Sequence, residues 1–286
     1  MKRQAYLHWG FCPADYSVYH TVYPHETLAP AYGFGVYETV WTFPNSDNTL
    51  DRERFIRSLL VVPRNSILYI NHESGKYAWS NTGDIRKANS EYLAEHKWLI
   101  NMVRLRRPDL VYGDFNFAPY VGYLPDDSYL AFIRQANAVR YEAANGQSFL
   151  LPHLYQRASW PIVKDGKTIG EKPLSAEHEL WSFGQCLTAA REQWPFTPII
   201  PTICLQYNHR VCEVYDNIPQ DRPTGFNFRW TPEELGKCRL PKDRLYALLQ
   251  LLSAHKIERV LIWSAGMTPV DAMRENLDLV KQWCNS

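Results

Sequence analysis

The chain has 286 residues, 45% of them hydrophobic and 21% charged, and a formal net charge of +1. That length suits one barrel-sized domain spanning 1–286, and a near-neutral balance gives bulk charge no means of drawing nucleic acid or an anionic membrane. No apolar run approaches the roughly eighteen residues of a membrane helix, and the opening MKRQAYLHWGF has neither the apolar stretch nor the cleavage site of a signal peptide. The expectation is a cytoplasmic protein, or an exported one whose leader has been removed, with no nucleic-acid or membrane partner. The six cysteines, Cys12, Cys186, Cys204, Cys212, Cys238 and Cys284, are scattered. Without C-x-x-C pairs or zinc-type Cys/His spacing they predict free thiols, with disulfides the alternative if the protein is exported, and no metal and no cofactor. Aromatic residues are abundant, with 10 Trp, 18 Tyr and 12 Phe. Two uses are open: a ring-rich core, or rings that line a cleft and stack on flat ligand faces.

Along the chain, short β-rich runs alternate with longer amphipathic ones, as in parallel βα units. The first run is Ala5–Trp9 and the second Gly35–Phe43, followed by a helix-start signal at Thr49–Arg54 and helical spacing of Phe55, Leu59 and Leu60. Strand three is Ile67–Glu73. A helix over Asp84–Arg106 stops before Pro108, and its basic end, Arg104–Arg107, complements the helix dipole. Strand four is Leu110–Phe117, then a helix near Ser128–Ala144; strand five is Ser148–Tyr155, then a helix at Ala176–Gln193. Strand six is Pro198–Tyr207, interrupted by prolines. After a loop of about thirty residues come a helix at Lys242–Lys256, strand seven at Arg259–Ser264 and a helix at Val270–Trp283. Seven strands in this rhythm predict an α/β fold: one (β/α) barrel of TIM type, distorted, with seven to eight strands. An open doubly wound sheet is the rival, but WGFCPAD is not the glycine-rich phosphate turn expected after its first strand.

In such a barrel the chemistry sits at the C-terminal strand ends, and alternation sorts the side chains. In ILYINHE, Leu68, Ile70 and His72 suit the helix layer, which leaves Tyr69, Asn71 and Glu73 to the barrel mouth. By the same reading Tyr112, Asp114 and Asn116 form the polar, inward face of strand four, and Leu261 and Trp263 share a face of strand seven. A Glu73 carboxyl walled by Tyr69, Tyr112 and Trp263 would be desolvated and raised toward a general acid's range; the plainer alternative is a strand-end salt bridge or helix cap. Asp114 is either the second carboxylate of a glycosidase pair or a hydrogen-bonded support for Glu73. His72 reads as structural, His8 and His153 form no metal set, and no G-x-S-x-G elbow marks a serine nucleophile. Gln206, near the end of strand six, joins Tyr69, Tyr112, Asn116 and Trp263 as a substrate-contact candidate.

Taken together, these strands resemble the hyaluronidase family of glycoside hydrolases. Strand three ends Asn71-His72-Glu73 where that family has Asp-x-Glu; YGDFNFAP (Tyr112–Pro119) is similar to its aromatic-Gly-aromatic run toward a proline. LLPHLY (Leu150–Tyr155) resembles its Leu-x-Pro-x-x-Tyr, and VLIWSAG places Trp263 at its cleft tryptophan. The resemblance implies a distorted, roughly seven-stranded barrel acting on a polysaccharide or glycan, with Glu73 as acid/base and Tyr155 and Trp263 shaping the sugar subsite. It also implies substrate assistance, in which the substrate's 2-acetamido oxygen attacks the anomeric carbon while the Asp stabilises that group. Here the position is Asn71, whose amide can hydrogen-bond the acetamido group but supplies no negative charge to the developing oxazolinium. Three outcomes stay open: an altered glycosidase, a second role for another carboxylate such as Asp114, or a catalytically inactive carbohydrate-binding barrel serving an assembly. A metal-dependent barrel hydrolase would need an H-x-H pattern after strand one, which YLHWGF lacks.

Overall fold

The computed structural model describes residues 2–12, 25–41, 50–71, 85–114, 148–154, 159–164, 167–173, 176–205, 239–263 and 270–286. The strands are β1 (Gln4–Cys12), β2 (Gly35–Trp41), β3 (Ile67–Asn71), β4 (Val111–Asp114), β5 (Ser148–Phe149), β6 (His153–Leu154), β7 (Ser159–Lys164), β8 (Lys167–Pro173), β9 (Thr202–Cys204) and β10 (Arg259–Trp263). The described helices are α1 (His25–Tyr32), α2 (Arg52–Val61), α3 (Ile85–Arg106), α4 (Ala176–Gln193), α5 (Lys242–Ala254) and α6 (Val270–Asn285).

Eight of the strands form one parallel sheet in the order β5-β4-β3-β2-β1-β10-β9-β6. Its two outer members are the ends of a single stretch, 148–154. Phe149 pairs with Gly113 on one side and His153 with Thr202 on the other. Between them the Leu150 N–H donates to the Pro198 carbonyl at 2.8 Å and the Ile200 N–H donates to the Leu150 carbonyl at 2.9 Å. The sheet therefore closes on itself, with seven stretches of chain following one another round the ring. This is the (β/α) barrel that the strand rhythm predicts.

Alternation along these strands divides the core into three layers. Inside the ring, Tyr37, Tyr69, Phe149, Leu151, Ile200 and Leu261 pack together. Outside it, Val40, Leu68, Ile70 and Tyr112 meet Phe55 and Leu59 of α2 and Leu99, Ile100 and Val103 of α3. On the opposite flank Ala5, Leu7, Ile203, Val260 and Ile262 meet the inner faces of α4, α5 and α6. Each fully buried Leu or Ile in these layers contributes about 1.5–3 kcal/mol of transfer free energy.

Local signals start and stop the helices. The Asp51 side chain accepts from the Arg54 N–H at 2.9 Å and caps α2, as the Thr49–Arg54 signal predicts. Helix α1 ends at Gly33, whose φ of +70° lets the Gly33 and Phe34 amides turn back to the Pro30 and Ala29 carbonyls. Neither α1 nor the antiparallel hairpin β7–β8 is anticipated by the sequence reading, although Lys164-Asp165-Gly166-Lys167 carries an Asp-Gly hairpin signal. The helix placed near Ser128–Ala144 and the long loop after β9 lie outside the described residues.

Arg104 and Arg106 stand in the last turn of α3, as the helix-dipole expectation has it, while Arg107 just beyond them has a further purpose. Arg107, 8% exposed, turns to the neighbouring helix: its guanidinium donates to the Leu59, Val62 and Pro63 carbonyls at the end of α2. It also grips Asp109 through two bonds of 2.9 Å. It thus satisfies the orphan carbonyls of a helix other than its own. Arg107→Met is expected to cost about 2–4 kcal/mol, because it leaves buried carbonyls without donors; urea denaturation measures it. The Arg107 hydrogen bond holds the Asp109 carboxyl well below the usual carboxylate range. A depressed folded-state pKa stabilises above the unfolded value near 3.9 and the benefit fades as pH falls below it. Unfolding midpoints should therefore drop as pH falls below about 4 and go on dropping toward about pH 2, and Asp109→Asn should flatten part of that drop, by about 1 kcal/mol or less for this quarter-exposed pair.

Candidate functional site

Because the ring is parallel, every strand's C-terminal end lies on one rim. β2 and β3 finish there side by side, with Trp41 in register with Asn71. Trp263, the last residue of β10, is in register with Cys204. Below that rim the lumen narrows onto rings. Tyr69 is fully buried, and Trp263 lies on it with centroids 5.6 Å apart and planes 22° apart. On another side His153 stacks against Tyr69 at 6.2 Å and 26°. Tyr37 leans on Tyr69 at 6.2 Å and donates its hydroxyl to the Ile262 carbonyl at 3.2 Å, fixing the backbone one residue before Trp263. Trp263 itself is partly exposed. The rim is thus floored by an aromatic patch with Trp263 uppermost.

Burial sets the electrostatics of this floor. It pushes His153 down to about 3, so the imidazole is neutral at physiological pH. It also holds the Tyr37 phenol well above its ordinary value. Neither group exchanges protons near neutrality, so the floor offers shape and ring faces rather than acid–base chemistry. Among the described residues no group of three His, Cys, Asp or Glu stands together to hold a metal ion. Cys186 and Cys204 are buried and Cys284 is partly buried.

The structure brings together Tyr69 and Trp263, two of the candidates, and adds His153, which sequence reasoning set aside. The signal for His153 was present: in SFLLPHLY, positions 149, 151 and 153 alternate in phase, and Phe149 and Leu151 both face the lumen. Asn71 is the final residue of β3, with its backbone on the rim. Glu73, Asn116, Tyr155 and Gln206 lie outside the described residues.

Strand four corrects the reading. Tyr112 is not an inward residue; it is fully buried on the helix side among Leu68, Ile70 and Val103. Asp114 closes the strand, with its backbone in register with Ile70. The inward positions are Val111 and Gly113. The cause is twofold: a tyrosine ring is apolar enough to join a helix-facing core, and the Phe149 ring fills the space in front of Gly113.

No protein-family model matches the chain, and no curated protein does. Among solved structures, bee venom hyaluronidase superposes with a TM-score of 0.55 over 99% of this chain and 100% of that one, at 12% sequence identity. A Bacteroides ovatus GH5 xyloglucanase in complex with a XXXG heptasaccharide gives 0.49 at 12% identity, covering 90% of this chain and 66% of that one. GH5_18 from Streptomyces cattleya in complex with GlcNAc gives 0.44 at 12% identity, covering 99% and 81%. Of these three, the first bears on the architecture. The chain has a distant resemblance to the hyaluronidase-type barrel, and at 12% identity that likeness concerns the fold alone.

Proposed function

We propose that this chain is a glycoside hydrolase acting on a polysaccharide or glycan, with Glu73 as general acid/base at the rim of the barrel. The observation that carries the reading is the partly exposed indole of Trp263 stacked on Tyr69 at the C-terminal strand ends, a surface suited to the apolar face of a pyranose. Glu73 follows two residues after Asn71, where β3 ends on that rim. Asn71 hydrogen-bonds the substrate's 2-acetamido group in this reading, and the substrate is an N-acetylhexosamine-containing chain.

One residue favours a second reading, a barrel that binds glycans without cleaving them. Asn71 replaces the carboxylate that would stabilise an oxazolinium, and a neutral amide forgoes that electrostatic contribution. The test is to incubate the purified chain with hyaluronan and with a chitin oligosaccharide, following new reducing ends and, in parallel, binding heat. Product formation supports the hydrolase. Binding without product over long incubation overturns it in favour of the silent binder, and neither binding nor product overturns both.

A further inference from the structure

Trp263, Tyr69 and His153 belong to β10, β3 and β6. In the sheet, β2 and β1 separate β3 from β10, and β9 separates β10 from β6. Their rings nevertheless touch, Trp263 on Tyr69 at 5.6 Å and Tyr69 against His153 at 6.2 Å, with interplanar angles of 22° and 26°. The group therefore spans the lumen and does not follow one edge of the sheet. Tyr69 and His153 are 0% and 3% exposed, closed to ligand themselves, whereas Trp263 above them is partly open.

We propose that Tyr69 and His153 are positioning residues, which hold the Trp263 indole as a rigid, preformed ligand face at the barrel mouth. An unsupported tryptophan on a strand end would sample several rotamers and lose that freedom on binding. A stacked one has already given it up, and near-parallel rings add attraction beyond simple burial. The brace on the backbone comes from Tyr37, whose hydroxyl reaches the Ile262 carbonyl. Histidine suits the buried place beside Tyr69 because burial keeps it neutral, so it presents a flat ring without the cost of a buried charge. The identity of the ligand rests on the carbohydrate reading above; the positioning itself does not.

The experiment uses the full chain labelled with 5-fluorotryptophan, with the Trp263 resonance assigned by its loss in Trp263→Phe. Tyr69→Phe and His153→Phe, which keep the rings, should leave that resonance in place. Tyr69→Leu and His153→Leu should shift and broaden it, and should weaken binding of a chitin hexasaccharide roughly tenfold. Leu59→Ala, a cavity on the helix side, should lower stability while leaving the resonance and the affinity unchanged. If Tyr69→Leu does not fold, the two His153 variants decide. A Trp263 resonance that stays sharp and unmoved in the leucine variants overturns the proposal, as does an equal disturbance in Leu59→Ala. If the wild-type chain binds no oligosaccharide, the carbohydrate reading fails, and the fluorine signal alone still settles the positioning.

Discussion

Gly113→Ala should be among the most damaging single methyl additions to this fold, lowering stability by about 3 kcal/mol or more. A Cβ built at Gly113 would stand 2.3 Å from Cε2 of Phe149 and within 3 Å of two further atoms of the same ring. Phe149 is fully buried among Tyr69, Leu151 and Ile200. Its ring cannot swing aside without displacing its neighbours, because packed interiors have no slack. The pair also sits where strand four meets the stretch that closes the ring, since Gly113 and Phe149 are in register. The strain would therefore fall on the closing seam. A second variant isolates the cause: Phe149→Leu in the Gly113→Ala background should recover part of the loss, giving a favourable coupling in a double-mutant cycle. Gly35→Ala provides the contrast. Its Cβ would come equally near the Tyr6 ring, at 2.4 Å, but Tyr6 is only partly buried and can rotate toward solvent. That substitution should cost about 1 kcal/mol or less, and equal penalties at the two glycines would refute this explanation.

Glu73→Gln is expected to reduce hydrolysis by roughly 10³-fold, the contribution of a positioned general acid, while the unfolding midpoint and the affinity for oligosaccharide stay within error of wild type. Glutamine keeps the shape and loses the transferable proton, so the variant separates chemistry from binding. Asn71→Asp is the complementary change. If the amide at that position is what restrains an acetamido-assisted mechanism, restoring the carboxylate should raise turnover by at least a few-fold, and Glu73→Gln should abolish the gain. Glu73→Gln with undiminished turnover would remove Glu73 from the mechanism.

Much of the barrel is legible in the sequence because its strands are short, β-branched or aromatic, and separated by strong helical periodicity. In ILYINHE the parity of Ile67 through Ile70 follows from the polar end of the run, since Asn71 and Glu73 share the phase of Tyr69 and leave Leu68 and Ile70 to the helices. Strand four defeats the same reasoning. It has four described residues, one of them glycine and one a tyrosine, and a tyrosine serves either face. What decides its orientation is the Phe149 ring across the seam, a partner about thirty-five residues away. His153 is lost for a related reason: Pro152 obscures the alternation of its strand, so a luminal histidine reads as one more polar residue near an end. The role of Arg107 is equally non-local, because the carbonyls it satisfies belong to a different helix. Periodicity reports which face a residue occupies; it carries no information about which distant group will be waiting there.

The hydrogen-bonded pairing of β1 with β10, Gln4 opposite Arg259, joins the first and last strands of the ring. During synthesis β1 therefore emerges about 250 residues before one of its two neighbours exists. At 5–20 residues per second that interval is on the order of ten to fifty seconds. Throughout it the strand presents an open edge of amides and carbonyls, the form of exposed backbone most prone to pairing with another chain. Productive folding of this barrel thus depends on keeping one edge of its opening strand unpaired until its final strand arrives, a demand on the cell rather than on the finished molecule.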